Sequence, residues 1–321
     1  MVFSFRVCQN ERNMKIVITN ESGLTESQIQ SLRELGEVEV YSDTNNQNYT
    51  ERLKHADIAV IDCFLTPVTK EFLSNTPNLK FFTINSTGHD NVDGEAIKHA
   101  NIVASNVPGF STVSVAELAI GLMFATVRKI SQGDSEFRHG LFTVDPGTPE
   151  AGRYMGFNLH GKTLGVIGLG NIGTHVAKIG KGVGMNVIGY NRTPKSIPGV
   201  QLVTLDELMA QADVIINCLT LKKETFGYIS KELIAKMKKS AVLVTIANLG
   251  TVDGKALIEA LDNESIAGAG IDTGDASFTG VKNTVLTPHI GYNTRESHEN
   301  MGRIILENIR GYISGNPVNR I

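Results

Sequence analysis

With 321 residues, 41% hydrophobic and 20% charged, the chain has an ordinary globular composition and is longer than one core prefers, so two domains are expected. A formal net charge of −3 without a basic cluster argues against nucleic acid or an anionic membrane as the main partner. Three scattered cysteines, Cys8, Cys63 and Cys218, form no disulfide framework or metal-ligand spacing, and no apolar run reaches membrane-spanning or signal-peptide length. A reducing cytoplasm is therefore expected, with no metal site.

Short apolar runs alternate with helical stretches from the start: Lys15-Ile-Val-Ile18, Val38-Glu-Val-Tyr41, Ile58-Ala-Val-Ile61, Lys80-Phe-Phe-Thr-Ile84 and Asn101-Ile-Val-Ala104. This is α/β rhythm. The first strand opens at Met14, so residues 1–13 read as an extension or the product of an upstream start codon. Proline and glycine in Asn106-Val-Pro-Gly109 end the fifth strand and mark a domain break. A long helix follows from about Thr112 to Ser114, with Val115, Leu118, Ala119, Leu122 and Ala125 as its apolar face.

Next comes Thr163-Leu-Gly-Val-Ile-Gly-Leu-Gly-Asn-Ile-Gly173, an apolar run that meets glycines spaced G-x-G-x-x-G at Gly168, Gly170 and Gly173. In a chain with 32 glycines the spacing alone is a weak signal, and a structural turn is the plain alternative. The strand before it, the helical stretch His175–Lys181 and the second strand Asn186–Tyr190 complete a βαβ unit of about 30 residues. In that context the glycines read as a dinucleotide grip, with the helix N–H groups and dipole facing a pyrophosphate.

The rhythm resumes with Val214-Ile-Ile-Asn-Cys218, Ala241-Val-Leu-Val-Thr-Ile246, Ile266-Ala-Gly-Ala-Gly-Ile271 and Thr284-Val-Leu-Thr287. The expected fold is α/β, with two doubly wound parallel-sheet domains. The final helix, roughly Glu296 to Ser314, has no sheet of its own to complete. It is expected to pack back on the first domain, which would make that domain discontinuous.

Four blocks point to one family. They are Thr87-Gly-His-Asp-Asn-Val-Asp93, Asn106-Val-Pro-Gly109 with Ser114-Val-Ala-Glu117, Gly161–Gly173, and Leu286-Thr-Pro-His-Ile-Gly291. In their residues and order along nearly the whole chain, they resemble the substrate loop, hinge helix, cofactor block and histidine block of the D-isomer-specific 2-hydroxyacid dehydrogenases. The resemblance implies a Rossmann coenzyme domain at 107–290 inserted into a flavodoxin-like substrate domain made of 1–106 and 291–321. It also implies a cytoplasmic homodimer that moves hydride between a nicotinamide and C2 of a small 2-hydroxy or 2-keto acid. In the family an arginine clamps the substrate carboxylate, a histidine carries the proton and a glutamate holds the histidine.

The histidine is present as His289, the expected acid/base. The arginine is not: the family's N-x-x-R-G-x-x-V-D stands here as Thr245-Ile-Ala-Asn-Leu-Gly-Thr-Val-Asp253, which puts Asn248 in the arginine's place. A neutral amide then replaces a bidentate cation. The glutamate's offset leads to Ser277, in a loop from Asp272 to His289 that is shorter than the family's, and Asp275 is the nearby carboxylate that could stand in. The alternative is that Asp275 is simply solvated.

Where NAD-preferring enzymes carry a ribose-binding aspartate, this chain has Asn191, followed by Arg192, Thr193 and Lys195. That set favours NADP. NAD remains the alternative, with Asn191 on the ribose and Arg192 a loop residue. The resemblance assigns Asn171 and Ile172 to the pyrophosphate, Leu219 and Thr220 to the segment after the fourth strand, and Asp272 to the nicotinamide carboxamide. It assigns Thr87, Gly88 and His89 to the substrate's acidic group. Two functions are therefore weighed: a reductase of a small 2-keto acid or related carbonyl compound, or a cofactor-binding sensor or scaffold that has lost the reaction.

Overall fold

The computed structural model describes residues 14–20 and 23–321, so Cys8 and the extension at 1–13 lie outside the described residues. The chain divides into two compact units, one running up to Phe110 and resuming at Arg295–Ile321, the other spanning Ser111–Thr294. The division falls four residues after Asn106 because Val107 and Phe110 bury their side chains in the first unit's core. At the other end, the turn after His289 stays with the second unit, where Asp272 accepts from the Gly291 N–H.

The first unit is a five-stranded parallel sheet of β1 (Lys15–Ile18), β2 (Glu37–Val40), β3 (Ile58–Ile61), β4 (Phe81–Ile84) and β5 (Val103–Ser105), in the order β2-β1-β3-β4-β5. Every residue of β3 and β4 is buried, as expected for parallel strands covered on both faces. The helix Arg295–Ile313 supplies part of that cover, packing Met301, Ile304, Ile305 and Ile309 with Ile16, Ile18, Ile58, Val60 and Phe81. After this helix the chain returns to β5, where Arg320 pairs antiparallel with Ser105 and the Ile321 N–H donates to the Ala104 carbonyl at 3.1 Å.

The second unit is a seven-stranded parallel sheet of β6 (Thr163–Ile167), β7 (Asn186–Tyr190), β8 (Gln201–Leu202), β9 (Val214–Asn217), β10 (Val242–Thr245), β11 (Gly268–Ile271) and β12 (Thr284–Leu286). Its order is β12-β11-β10-β9-β6-β7-β8, so the direction of winding reverses between β6 and β9, where doubly wound sheets bind ligands. Sequence patterning does not reveal β8, since two exposed edge residues carry no period.

The helix Thr112–Val127 departs from the single apolar face expected of it. Ser114, Ala116, Ala119, Ile120, Leu122, Met123, Thr126 and Val127 are buried, whereas Val115, Leu118 and Ala125 are only half-buried. It packs against β10 and β11 on one side and the helix Asn171–Gly182 on another, so it needs two buried faces. Its close approach explains two glycines of β11. A Cβ at Gly268 would stand 2.9 Å from Thr126 Cγ2, and one at Gly270 3.1 Å from Leu122 Cβ. Among the described residues, no helix is long and apolar enough to cross a membrane.

Ile305→Ala should cost about 2–5 kcal/mol, because Ile305 is fully buried where the C-terminal helix meets the first sheet. Urea unfolding of the purified variant measures this, and a loss under about 1 kcal/mol would show that the helix contributes little to that core.

Candidate functional site

The glycine block has a physical reason at each position. Gly168 takes φ +90°, and a Cβ there would stand 3.0 Å from the Cys218 carbonyl oxygen after β9. A Cβ at Gly173 would collide with the carbonyl of Gly168, and one at Gly170 would meet nothing within 4 Å. The helix Asn171–Gly182 therefore starts behind an open cradle, with Gly170 as an N-cap that has no side chain to answer it. Among the described residues nothing accepts from the N–H groups of Asn171, Ile172 or Gly173. Three such donors at the positive end of a helix suit a pyrophosphate.

At the end of β7, Asn191 is half-committed to structure. Its Oδ1 accepts from the Leu169 N–H at 3.1 Å, which ties the glycine turn down, and its Nδ2 donates to the Thr193 carbonyl at 2.6 Å. Arg192, Thr193 and Lys195 are exposed beside it. Sequence reasoning missed Tyr228, whose hydroxyl lies 2.8 Å from that of Tyr190. Burial and that hydrogen bond push the Tyr228 phenol up to about 12, so it stays neutral beside the positive field of Arg192. Only the contact between the end of β7 and the connection from β9 to β10 reveals it.

Loops at the ends of β9 and β10 are joined by one fully buried amide. Asn217 donates to Thr245 Oγ1 at 3.1 Å and Thr251 Oγ1 at 2.8 Å, while its Oδ1 accepts from the Leu219 N–H at 3.2 Å. Thr220 gives its carbonyl to the Thr225 hydroxyl. Asn248 is exposed and caps the short helix Leu249–Thr251, with Oδ1 accepting from the Gly250 N–H at 2.9 Å. That leaves its amide N–H groups for a ligand.

His289 sits in the turn after β12 with φ +55°, a left-handed conformation that is uncommon outside glycine. The cause of that geometry is Asp272, whose side chain is 2% exposed at the end of β11. Its Oδ1 accepts from the Thr287 hydroxyl at 2.6 Å and the Ile290 N–H at 2.9 Å, and its Oδ2 from the Gly291 N–H at 3.0 Å. The Asp272 carbonyl also accepts from the His289 N–H at 2.6 Å. A buried carboxylate satisfied by charge-assisted bonds thus clamps both flanks of His289. The ring of Tyr292 meets the imidazole edge-on at 5.9 Å, a contact suggested only by an aromatic three residues downstream.

Asp275 is engaged elsewhere. It caps the short helix Ala276–Phe278, accepting from the Ser277 N–H at 2.8 Å and Ser277 Oγ at 2.5 Å, and those bonds hold its carboxyl below the usual carboxylate range. Among the described residues, no group of three or more His, Cys, Asp or Glu is placed to hold a metal ion.

In the first unit, the exposed loop after β4 presents free N–H groups, as a helix N-terminus does. The Ser86 carbonyl accepts from the Val107 N–H at 3.1 Å, that of Thr87 from Asn106 Nδ2 at 2.8 Å, and that of Gly88 from Ser86 Oγ at 2.6 Å. Among the described residues nothing accepts from the N–H groups of Thr87, Gly88 and His89. A run of outward amides with its carbonyls occupied is an anion-binding concavity.

Comparison with known proteins places these features in a family context. The sequence profile of the D-isomer specific 2-hydroxyacid dehydrogenase NAD binding domain matches residues 120–291. A glyoxylate reductase from Thermococcus litoralis is 33% identical over 95% of this chain and 97% of its own length. A D-3-phosphoglycerate dehydrogenase from Methanocaldococcus jannaschii is 38% identical over 95% of this chain, which spans only 59% of that protein. Among solved structures, an acyclic imino acid reductase in complex with NADPH and D-Arg superposes with a TM-score of 0.87 at 33% identity, covering 96% of this chain and all of that one.

Asp272→Asn should turn an amide N–H2 toward either the Gly291 N–H or the pair from Thr287 and Ile290. At least one donor is then left facing a donor, at a cost of about 1–3 kcal/mol. Urea unfolding should show that loss, and a variant as stable as the parent would show that the carboxylate does not hold the turn.

Proposed function

The chain belongs to the D-isomer-specific 2-hydroxyacid dehydrogenases, nicotinamide-dependent oxidoreductases whose NAD-binding domain lies in its second unit, and on that premise we propose an NADPH-dependent reductase of a small 2-keto acid or related carbonyl compound. The observation that carries this reading is the clamped turn that presents His289. A protein that kept only a nucleotide grip would have no use for a histidine held in a left-handed conformation by a buried carboxylate.

The cradle fits the cofactor. Gly168, Gly170 and Gly173 leave room for the pyrophosphate, the N–H groups of Asn171, Ile172 and Gly173 bind it, and Leu219 and Thr220 border the same strand-end crevice. With no carboxylate at Asn191 to repel a 2′-phosphate, Arg192 and Thr193 are free to bind one, which favours NADP over NAD. Asp272 has used three of its roughly four lone-pair positions, and the remaining one suits the nicotinamide carboxamide. When bound, the reduced nicotinamide supplies a hydride. In the second unit, His289 gives a proton to the oxygen as C2 is reduced; in the first unit, taken by itself, the outward N–H groups of Thr87, Gly88 and His89 suit a carboxylate.

Asn248 favours a second substrate class. A neutral amide polarises a carbonyl oxygen less than arginine does, whereas a protonated imine carries its own positive charge and would be repelled by an arginine. A 2-imino acid therefore suits Asn248 better than it suits the usual arginine. The structural neighbour named as an imino acid reductase has the same fold along its whole length.

We also propose a homodimer formed through the second unit, where Phe124, Ile130, Phe137, Phe142 and Met155 are exposed. Cys63 and Cys218 are free, which suits the cytoplasm.

Fluorescence titration should show tighter binding of NADPH than of NADH, with Arg192→Ala weakening NADPH about tenfold and leaving NADH unchanged. Equal NADH binding by the parent would remove the NADP assignment. Oxidation of NADPH is then followed with 2-keto acids alone and with added ammonium or methylamine. Turnover only with amine would select the imine class, and saturable NADPH binding without any turnover would select the sensor. Asn248→Arg should raise keto-acid reduction and depress imine reduction.

A further inference from the structure

We propose that Asn308, on the C-terminal helix, is a positioning residue for the Thr87–His89 loop, acting through Asn106 and completed by Asn319 near the chain end. The proposal rests on the reading of that loop as the seat of the substrate carboxylate. Asn308 is fully buried in the face that covers the first sheet, where its neighbours on the helix are isoleucines and leucine. An amide in such a place is costly unless it is answered, and this one is. Its Nδ2 donates to Thr83 Oγ1 at 2.9 Å, at the end of β4, and to the Asn106 carbonyl at 2.8 Å. Its Oδ1 accepts from Asn319 Nδ2 at 2.8 Å.

The hold continues into the loop. Asn106 donates its main-chain N–H to the Asn319 carbonyl at 3.0 Å and its side-chain amide to the Thr87 carbonyl at 2.8 Å. The Thr87 hydroxyl donates to the Val107 carbonyl at 2.9 Å, and Ser105 Oγ donates to the Val318 carbonyl at 2.7 Å. With the carbonyl of Thr87 turned inward, its peptide plane is fixed, and the N–H groups beyond it point away from the protein. Without that hold the peptide planes can rotate, and each rotation replaces an outward donor with an outward carbonyl that repels a carboxylate. The C-terminal segment thus acts on the loop although it contributes no group to the bound anion.

Two variants test this. Asn319→Gly removes only the amide that Asn308 accepts from, because Asn319 has φ +51°, a conformation glycine adopts without strain. Asn308→Ala removes the centre of the chain of bonds. Deuterium exchange should speed up in both at the protected amides that report the hold, Val92 within the loop peptide 85–92 and Asn106 and Val107 bonded to it, with peptides of the second unit unchanged. For a 2-keto acid that the parent reduces, KM should rise about threefold in Asn319→Gly and about tenfold in Asn308→Ala, with kcat and NADPH affinity unchanged. If Asn308→Ala does not fold, Asn319→Gly alone decides.

Unchanged exchange in the loop would overturn the proposal. So would faster exchange with unchanged KM, or a parallel loss of KM, kcat and NADPH binding, which marks general destabilisation. A parent that turns over only with added amine is read through the KM of its 2-imino acid instead, and if it reduces neither class the substrate reading of the loop fails separately. The exchange result then decides the hold, with a faster loop upholding it and an unchanged loop overturning it.

Discussion

A polar side chain taken out of water must find partners, and in this protein that constraint organises the loops at the strand ends. Asn217 and Asn308 are fully buried and Asp272 nearly so, and each spends at least one hydrogen bond on the backbone of a segment that leads to candidate functional residues. Asn217 binds the segments that lead to Leu219 and Asn248, Asp272 the turn of His289, and Asn308 the approach to Thr87. Each loop is therefore pinned from within, by Asn217 and Asn308 with no amide N–H left over for a ligand and by Asp272 with one lone-pair position to spare.

The parallel sheets explain why the pins sit where they do. Strands such as β3, β4, β9 and β10 are buried along their whole length, so their interiors are apolar apart from Thr83 of β4, whose hydroxyl Asn308 answers, and most polar groups sit at the strand ends. Asn217 is the last residue of β9, and Asp272 follows β11 directly. In the second sheet the glycines answer a steric form of the same crowding. Gly168 passes close to the chain after β9, and Gly268 and Gly270 admit the helix Thr112–Val127 against β11.

On the proposed reading, His289 is the proton carrier and Asn248 stands where the family carries a cation. Asn248 aligns with the family's arginine and Asp275 is the carboxylate near the glutamate's offset at Ser277, yet each caps a short helix with one oxygen. Capping is well served by Asn and Asp because a short side-chain acceptor reaches the N–H two residues on. An asparagine at 248 is therefore compatible with the local fold, and the proposed preference for a substrate that brings its own positive charge rests on its neutrality.

Much of the architecture was legible in the sequence because it depends on periods and on glycine. Apolar runs mark the buried strands, and the spacing of Gly168, Gly170 and Gly173 inside a βαβ unit marks the candidate cofactor cradle, where a Cβ would crowd the backbone at Gly168 and Gly173. His289 was legible through the block around it. The two-residue strand β8, the two buried faces of the helix Thr112–Val127, the pairing of Tyr190 with Tyr228 and the bonds of Asp272 were not. Asn308 and Thr87 are 221 residues apart in a chain whose local pattern shows only an asparagine on a helix and a threonine in a loop. What the sequence determined by itself was whatever neighbouring residues impose on one another through sterics and hydrophobic period. What only the tertiary structure decided was which polar groups, distant along the chain, are buried together and must satisfy each other.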